Sequence, residues 1–187
     1  MEDRYELRFS GSGGQGMILA GIIMAEAASV YDTKTATQSQ SYGPESRGGA
    51  SKAEVIISDS PIDYPKATAI DCMLALTQEA CTKYHADIKK GGILIVDSDE
   101  VKEIPRGDFK VYGFPIIETA RKELGKTIVA NILSLGLIAE LTGIVTKDAM
   151  EKAVLSRVPK AFEDLNKRAL QIGFDRAKEL RAKSGNA

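Results

Sequence analysis

The chain has 187 residues, 43% hydrophobic and 27% charged. That suits one packed domain, or one domain with a helical appendage, and excludes both two full enzyme domains and a disordered chain. Lys and Arg (25) nearly cancel Asp and Glu (26), so composition gives no electrostatic ground for a nucleic-acid binder. Two cysteines, Cys72 and Cys81, and one histidine, His85, are too few for a four-thiolate iron–sulfur site or a multi-histidine metal centre.

The charged start, residues 1–6, leads into an apolar run too short for a signal peptide. The longest apolar stretch, 128–145, is interrupted by Asn131, Ser134, Glu140 and Thr142 and reads as a buried helix, not a membrane span. A cytoplasmic setting with reduced thiols is expected. Residues 5–10 alternate with period two and read as a strand. It enters Gly-Ser-Gly-Gly-Gln-Gly at 11–16, then an apolar helix over 17–30. The β-branched segment 33–38 is a second strand. A long loop without apolar periodicity follows, over 39–49, and 53–58 is a third strand. Residues 69–76 form a near-continuous apolar run, as in a strand buried on both faces. A helix is expected over 79–90, stopped by Gly91-Gly92 with two lysines in its last turn. Strands over 93–97 and 109–114 complete a sheet. Helices near 116–124, 127–141, 147–158 and 161–180 follow, separated by Gly125, Gly143 and Pro159.

Strand–helix alternation followed by a helical tail predicts an α/β fold. We expect a three-layer, mostly parallel sheet with a Rossmann-like start, over 1–114, and a C-terminal helical extension over 115–187. Residues 147–187 carry ten basic and six acidic side chains, net +4. A solvated helix face accounts for this more simply than a docking surface for an acidic partner.

Gly11, Gly13 and Gly16 lie where a dinucleotide fingerprint places its glycines, between a strand and a helix, so that backbone N–H groups approach a pyrophosphate. The fingerprint also requires an acid at the end of the second strand. Here that strand ends in Gln38-Ser39-Gln40, and Asp32 precedes it. Conventional NAD binding is therefore disfavoured, and a tight turn with close helix–strand packing stays open beside it. The 39–51 loop holds Gly43, Pro44, Gly48, Gly49, several hydroxyls, and the pair Glu45 and Arg47. A loop this long is costly in conformational entropy unless it binds something. Arg47 before two glycines presents a guanidinium suited to a phosphate or carboxylate. If the two preceding strands are parallel, both loops share the carboxyl edge of the sheet.

Gly-Ser-Gly-Gly-Gln-Gly at 11–16, followed by Gln-Ser-Tyr-Gly-Pro-Glu-Ser-Arg-Gly-Gly-Ala-Ser at 40–51, resembles the gamma subunit of 2-oxoacid:ferredoxin oxidoreductases, nearest to the 2-oxoglutarate type. The resemblance continues through 55–59, 91–97 and the helix containing Asn131, about residues 5–175. It implies a single gamma-type domain within a complex that decarboxylates a 2-oxoacid with coenzyme A, giving an acyl-CoA, carbon dioxide and reduced ferredoxin. It further implies that this chain binds no cofactor alone. Thiamine diphosphate, Mg and the iron–sulfur clusters belong to alpha, beta and delta partners, and coenzyme A is the co-substrate. The two loops, Gly11, Gly13, Gly14, Gln15, Gly16 and Ser41, Tyr42, Gly43, Pro44, Arg47, Gly48, Gly49, are the candidate binding residues. No catalytic residue and no metal ligand are assigned.

Cys72 and Cys81 read as buried small hydrophobes. His85 has no nucleophile beside it in sequence. Asp97 and Asp99 read as caps of the turn at 98–101 in preference to ligand contacts. The apolar helix 127–141 reads as core in preference to an association surface, so a homodimer of the isolated chain stays a lesser alternative. A free-standing nucleotide-binding oxidoreductase and a ligand-free interaction protein are the competing functions. The neutral end of the second strand disfavours the former, and the 40–51 loop has no place in the latter.

Overall fold

The computed structural model describes residues 4–41 and 49–184. Six strands form one sheet: β1 (Arg4–Ser12), β2 (Thr35–Ser41), β3 (Ala50–Ser58), β4 (Ile70–Ala75), β5 (Ile88–Asp97) and β6 (Lys110–Phe114). Their spatial order is β2-β3-β1-β4-β5-β6. β1, β4, β5 and β6 pair in parallel, while β3 lies antiparallel to both β1 and β2. Five strands thus share one direction and β3 alone is reversed. The mostly parallel expectation holds, with a modification at the start. β2 does not lie beside β1 as in a dinucleotide-binding unit, because β3 occupies that place.

Alternation along β1 explains the layers. Leu7 and Phe9 face a large core with Met17, Ala20 and Leu133, whereas Glu6, Arg8 and Ser10, also buried, face the other side. The helices are α1 (Met17–Glu26, continued by a wide turn over Ala27–Tyr31), α2 (Gln78–Tyr84), α3 (Ile116–Leu124), α4 (Ala130–Thr142), α5 (Lys147–Arg157) and α6 (Glu163–Ser184). α4 is apolar on nearly every side and buried along its length, as a helix enclosed by sheet and neighbours must be. The core reading of this segment is correct. α6 crosses α4 backbone to backbone at Gly136 and Gly173. A methyl on Gly136 would stand 2.4 Å from the Leu170 carbonyl, and one on Gly173 2.2 Å from that of Leu133.

The second face is covered more thinly, by α2 and a small cluster of Met73, Ala75, Cys81, Leu94 and Val96. Here the expected helix over 79–90 is corrected. It ends at Tyr84, and Ile88 already opens β5. Gly91, at φ +76°, bends the strand at an irregularity in its pairing with β4 instead of capping a helix. Lys89 reaches Asp71 at 3.1 Å and Lys90 reaches Asp108 at 3.3 Å, so both lysines serve the strand. Arg8, 2% exposed, accounts for the early stop. Its Nη1 donates to the Tyr84 carbonyl and reaches Asp87, both at 2.7 Å, while Nη2 meets Glu54 at 2.6 Å. A buried guanidinium needs all its partners, and these tie the end of α2 to β1 and β3.

Candidate functional site

β1 and β4 are neighbours whose connections leave in opposite directions, β1 towards β2 and β4 towards β5. Such a switch point leaves a crevice at the carboxyl edge, where open α/β sheets bind ligands. Ser10 Oγ donates to the Leu74 carbonyl at 2.6 Å, and Leu76 N–H donates to the Ser10 carbonyl at 3.0 Å. The floor of the crevice is thereby fixed.

The glycine loop forms one wall. Gly11 is the penultimate residue of β1, and a methyl there would collide with Gln15 Oε1 at 2.4 Å. Gln15 folds back to accept the Ser12 N–H at 2.8 Å, holding the turn closed. Gly13 and Gly14 are exposed. Gly14 (φ +92°) and Gly16 (φ +76°) adopt left-handed backbone that favours glycine. Gly16 caps α1 without a side chain, and its Cα faces Asn131, whose Nδ2 would lie 2.5 Å from a methyl there. Among the described residues, the N–H groups of Gly14, Gly16 and Met17 have no hydrogen-bond partner. Gly16 and Met17 stand at the start of α1, where partial positive charge gathers.

The opposite wall comes from residues sequence reasoning did not select. Leu76, Ile117, Thr127, Ile128 and Ala130 line a cavity of about 330 Å³ with Gly14 and Gln15. A second, largely apolar groove of about 290 Å³ shares Ile128 and runs past Asn131, Leu19 and Phe162. Ile128 is 74% exposed. The one signal for this wall was a polar residue, Asn131, at the start of an otherwise apolar helix.

The second glycine-rich loop does arrive at the same edge. Gly13 N–H donates to the Gly49 carbonyl at 3.3 Å, so these two candidates meet. Ser41 ends β2 opposite Lys52, two strands away from Gly11, and is exposed. Tyr42, Gly43, Pro44, Arg47 and Gly48, with the Glu45–Arg47 pair, lie outside the described residues. Asp32 is at the far end of β2, where its carboxylate accepts Thr146 N–H at 2.6 Å and Oγ1–H at 2.7 Å. It is a structural acceptor, as its place before the strand implied. β3 also separates β2 from β1 by one strand spacing, so the ribose-binding position of a nicotinamide fold does not form.

Asp97, fully buried, accepts N–H bonds from Asp99 (2.9 Å) and Glu100 (3.2 Å) on Oδ1, and from Ile117 (2.8 Å) on Oδ2. The capping reading is correct for Asp97, whose reach extends to the start of α3; Asp99 does not cap the turn but gives its N–H to Asp97, and its own carboxylate stands 4.0 Å from Lys102. His85 Nδ1 meets the carbonyls of Cys81 and Thr82 at 3.1 and 3.0 Å. Cys72 and Cys81 are buried and unpaired, and burial pushes both thiols up from their ordinary 9.0, with Asp71 adding to the effect at Cys72. Among the described residues no three His, Cys, Asp or Glu side chains stand together to hold a metal ion, and no helix is long and apolar enough to cross a membrane.

The fold and the site together define an α/β chain of the glycine-loop type, with a glycine-walled crevice at the switch point of its sheet. The chain belongs to the pyruvate ferredoxin/flavodoxin oxidoreductase family, which it matches over residues 6–176. It is 51% identical to the 2-oxoglutarate synthase subunit KorC of Methanocaldococcus jannaschii, over 95% of this chain and 96% of that one. The crystal structure of the gamma subunit of a keto/oxoacid ferredoxin oxidoreductase from Geobacter sulfurreducens superimposes with a TM-score of 0.89 at 62% identity, covering 95% of this chain and 98% of its own. A 2-oxoglutarate:ferredoxin oxidoreductase from Magnetococcus marinus, solved with 2-oxoglutarate, coenzyme A and succinyl-CoA bound, shares the fold (TM-score 0.81, 24% identity). The match covers 96% of this chain but 32% of that one.

Proposed function

We propose that this chain is the gamma subunit of a 2-oxoacid:ferredoxin oxidoreductase acting on 2-oxoglutarate, and that its glycine loop holds an anionic part of coenzyme A. The observation that carries the reading is the near full-length identity to a 2-oxoglutarate synthase subunit joined to unpartnered N–H donors at the head of α1. The residues fit the ligand's chemistry. Gly14 has no heavy atom within 4 Å of where its Cβ would lie, so a phosphate oxygen can approach the backbone, and the donors beside it complement negative charge. The apolar residues around Ile128 suit the less polar length of the same ligand. Gln15 keeps the cradle shaped before anything binds, which lowers the ordering cost of binding. Arg47, from its sequence context, adds a guanidinium to the same anion or to a partner carboxylate.

Thiamine diphosphate with Mg, and the iron–sulfur clusters, supply decarboxylation and electron transfer from alpha, beta and delta partners in the cytoplasm. This chain binds and orients the thiol-bearing co-substrate and covers the partners' site. Purified alone, it should not reduce a viologen dye with 2-oxoglutarate and coenzyme A, whereas reconstitution with its partners should restore turnover. Turnover by the lone chain would overturn the subunit reading. In the reconstituted enzyme, Gly14→Ala should raise KM for coenzyme A about tenfold, the loss of roughly one hydrogen bond, with KM for the 2-oxoacid unchanged. Arg47→Ala should weaken assembly or coenzyme A binding by about 1.5–3 kcal/mol. Wild-type coenzyme A kinetics in both variants would remove the ligand from this loop.

A further inference from the structure

Asn131 is the only amide side chain in α4. It stands in the first turn, 5% exposed, directly before Ile132 and Leu133. Burying an amide costs free energy unless its groups are paired, and a leucine has the same branched outline without that cost. The partners of Asn131 account for its presence.

Both ends of the side chain are used. Oδ1 accepts the Ile132 N–H at 2.9 Å, one of the first-turn donors that Val129, without a side-chain cap, leaves open. Nδ2 donates to the Gly16 carbonyl at 3.4 Å, across 115 positions of sequence. The bond is long, but packing keeps it in place. A methyl on Gly16 would lie 2.5 Å from Nδ2, 3.2 Å from Cγ and 3.5 Å from Cβ of Asn131, so the amide is seated against the bare Cα.

The Gly16 carbonyl belongs to the same peptide unit as the Met17 N–H, one of the unpartnered donors at the head of α1. A peptide unit is planar, and this one is trans. Its carbonyl and its N–H leave on opposite sides, so whatever fixes the first aims the second. Two groups hold this carbonyl: the Ala20 N–H at 3.0 Å, from within α1, and the Asn131 amide, from the helical tail. A bond to the carbonyl also polarises the unit and strengthens its N–H as a donor.

We propose that Asn131 is a positioning residue, which acts through the Gly16 carbonyl to aim and strengthen the Met17 N–H towards the anion held by the glycine loop. The inference rests on the coenzyme A reading above. Gln15 closes the loop from within, whereas Asn131 sets its last peptide from outside. The donor thus comes from one end of the chain and its direction from the other.

The test is made in the reconstituted enzyme, with thermal melting of the purified chain as the folding control. Asn131→Leu keeps the outline and removes the donor without adding charge. It should raise KM for coenzyme A about fivefold, the loss of one modest hydrogen bond, with kcat and KM for the 2-oxoacid unchanged. Asn131→Ala carries the same expectation if the leucine variant does not fold. Asn131→Asp keeps the bond to Ile132 but sets an oxygen against the Gly16 carbonyl, and should raise KM at least as far. A side chain that only supports the fold behaves differently. Its loss would lower the melting temperature and the yield of active complex while moving neither KM, and that result overturns the proposal. So does an effect confined to Asn131→Asp, which would report a charge near the anion and not an aimed donor. Gly14→Ala separates this inference from the reading beneath it. A raised KM for coenzyme A in Gly14→Ala beside a wild-type KM in Asn131→Leu overturns the positioning role alone. Wild-type KM in both variants overturns the two together.

Discussion

Gly14 and Gly16 separate two reasons for having no side chain. Both have positive φ, and an alanine at either costs about 1–2 kcal/mol in backbone strain. Gly14 faces open space, whereas Gly16 faces the buried Asn131 amide 2.5 Å from the added methyl. Gly16→Ala should therefore unfold at lower urea concentration than Gly14→Ala, and Gly14→Ala alone should report on the ligand. The two cysteines give a pH signature. Their thiols are held protonated in the fold by burial, above the ordinary 9.0, while in the unfolded chain they ionise near that value. Their contribution to stability is complete below about pH 9 and is lost as pH rises beyond it, chiefly through the fully enclosed Cys72, by up to about 1.4 kcal/mol per pH unit for that thiol. Melting temperatures between pH 8 and 11 should fall accordingly, and Cys72→Ala with Cys81→Ala should flatten the decline. Equal slopes in the variant would place the effect elsewhere, Tyr5 being the next group held up by burial.

At the scale of elements, Asp97 is the joint between the sheet and the tail. One carboxylate accepts three N–H groups, two from the turn after β5 and one from α3. Pro115, at the head of α3, offers no side-chain cap, so this acid provides it from across the turn. Asp97→Asn keeps the shape but turns an amide NH₂ towards a backbone donor, and should cost about 1.5–3 kcal/mol. Wild-type stability on chemical denaturation would mean that water replaces it. The turn role of Asp97 was legible from its place after a buried strand. Its hold on Ile117, twenty residues away, was not, because local patterning carries no record of tertiary partners. The early end of α2 has the same origin. Lys89 and Lys90 before two glycines look like a helix terminus in sequence, and only Arg8, arriving from β1, shows why the chain is already extended there.

On the scale of the whole molecule, the order and type of most elements could be read from periodicity, and the common edge of the two glycine loops followed from strand direction. The insertion of β3 between β1 and β2 could not, since nothing local distinguishes a strand that pairs next door from one that pairs a place further on. Half of the site was equally hidden: Leu76, Ile117 and Ile128 are ordinary apolar residues until the tail folds back over the sheet. That fold-back depends on the crossing at Gly136 and Gly173. Gly136→Ala or Gly173→Ala should cost about 3 kcal/mol or more, because the obstructing atoms are backbone carbonyls, and should lower the melting temperature by roughly 6–12 °C. The crossing also has a genetic consequence. A crowded side chain is usually rescued by trimming its neighbour, but each of these glycines already faces the other, and there is nothing left to trim. Selection for revertants of Gly136→Ala should return the original codon or stabilising changes scattered across the chain, and no compensating partner at the crossing itself.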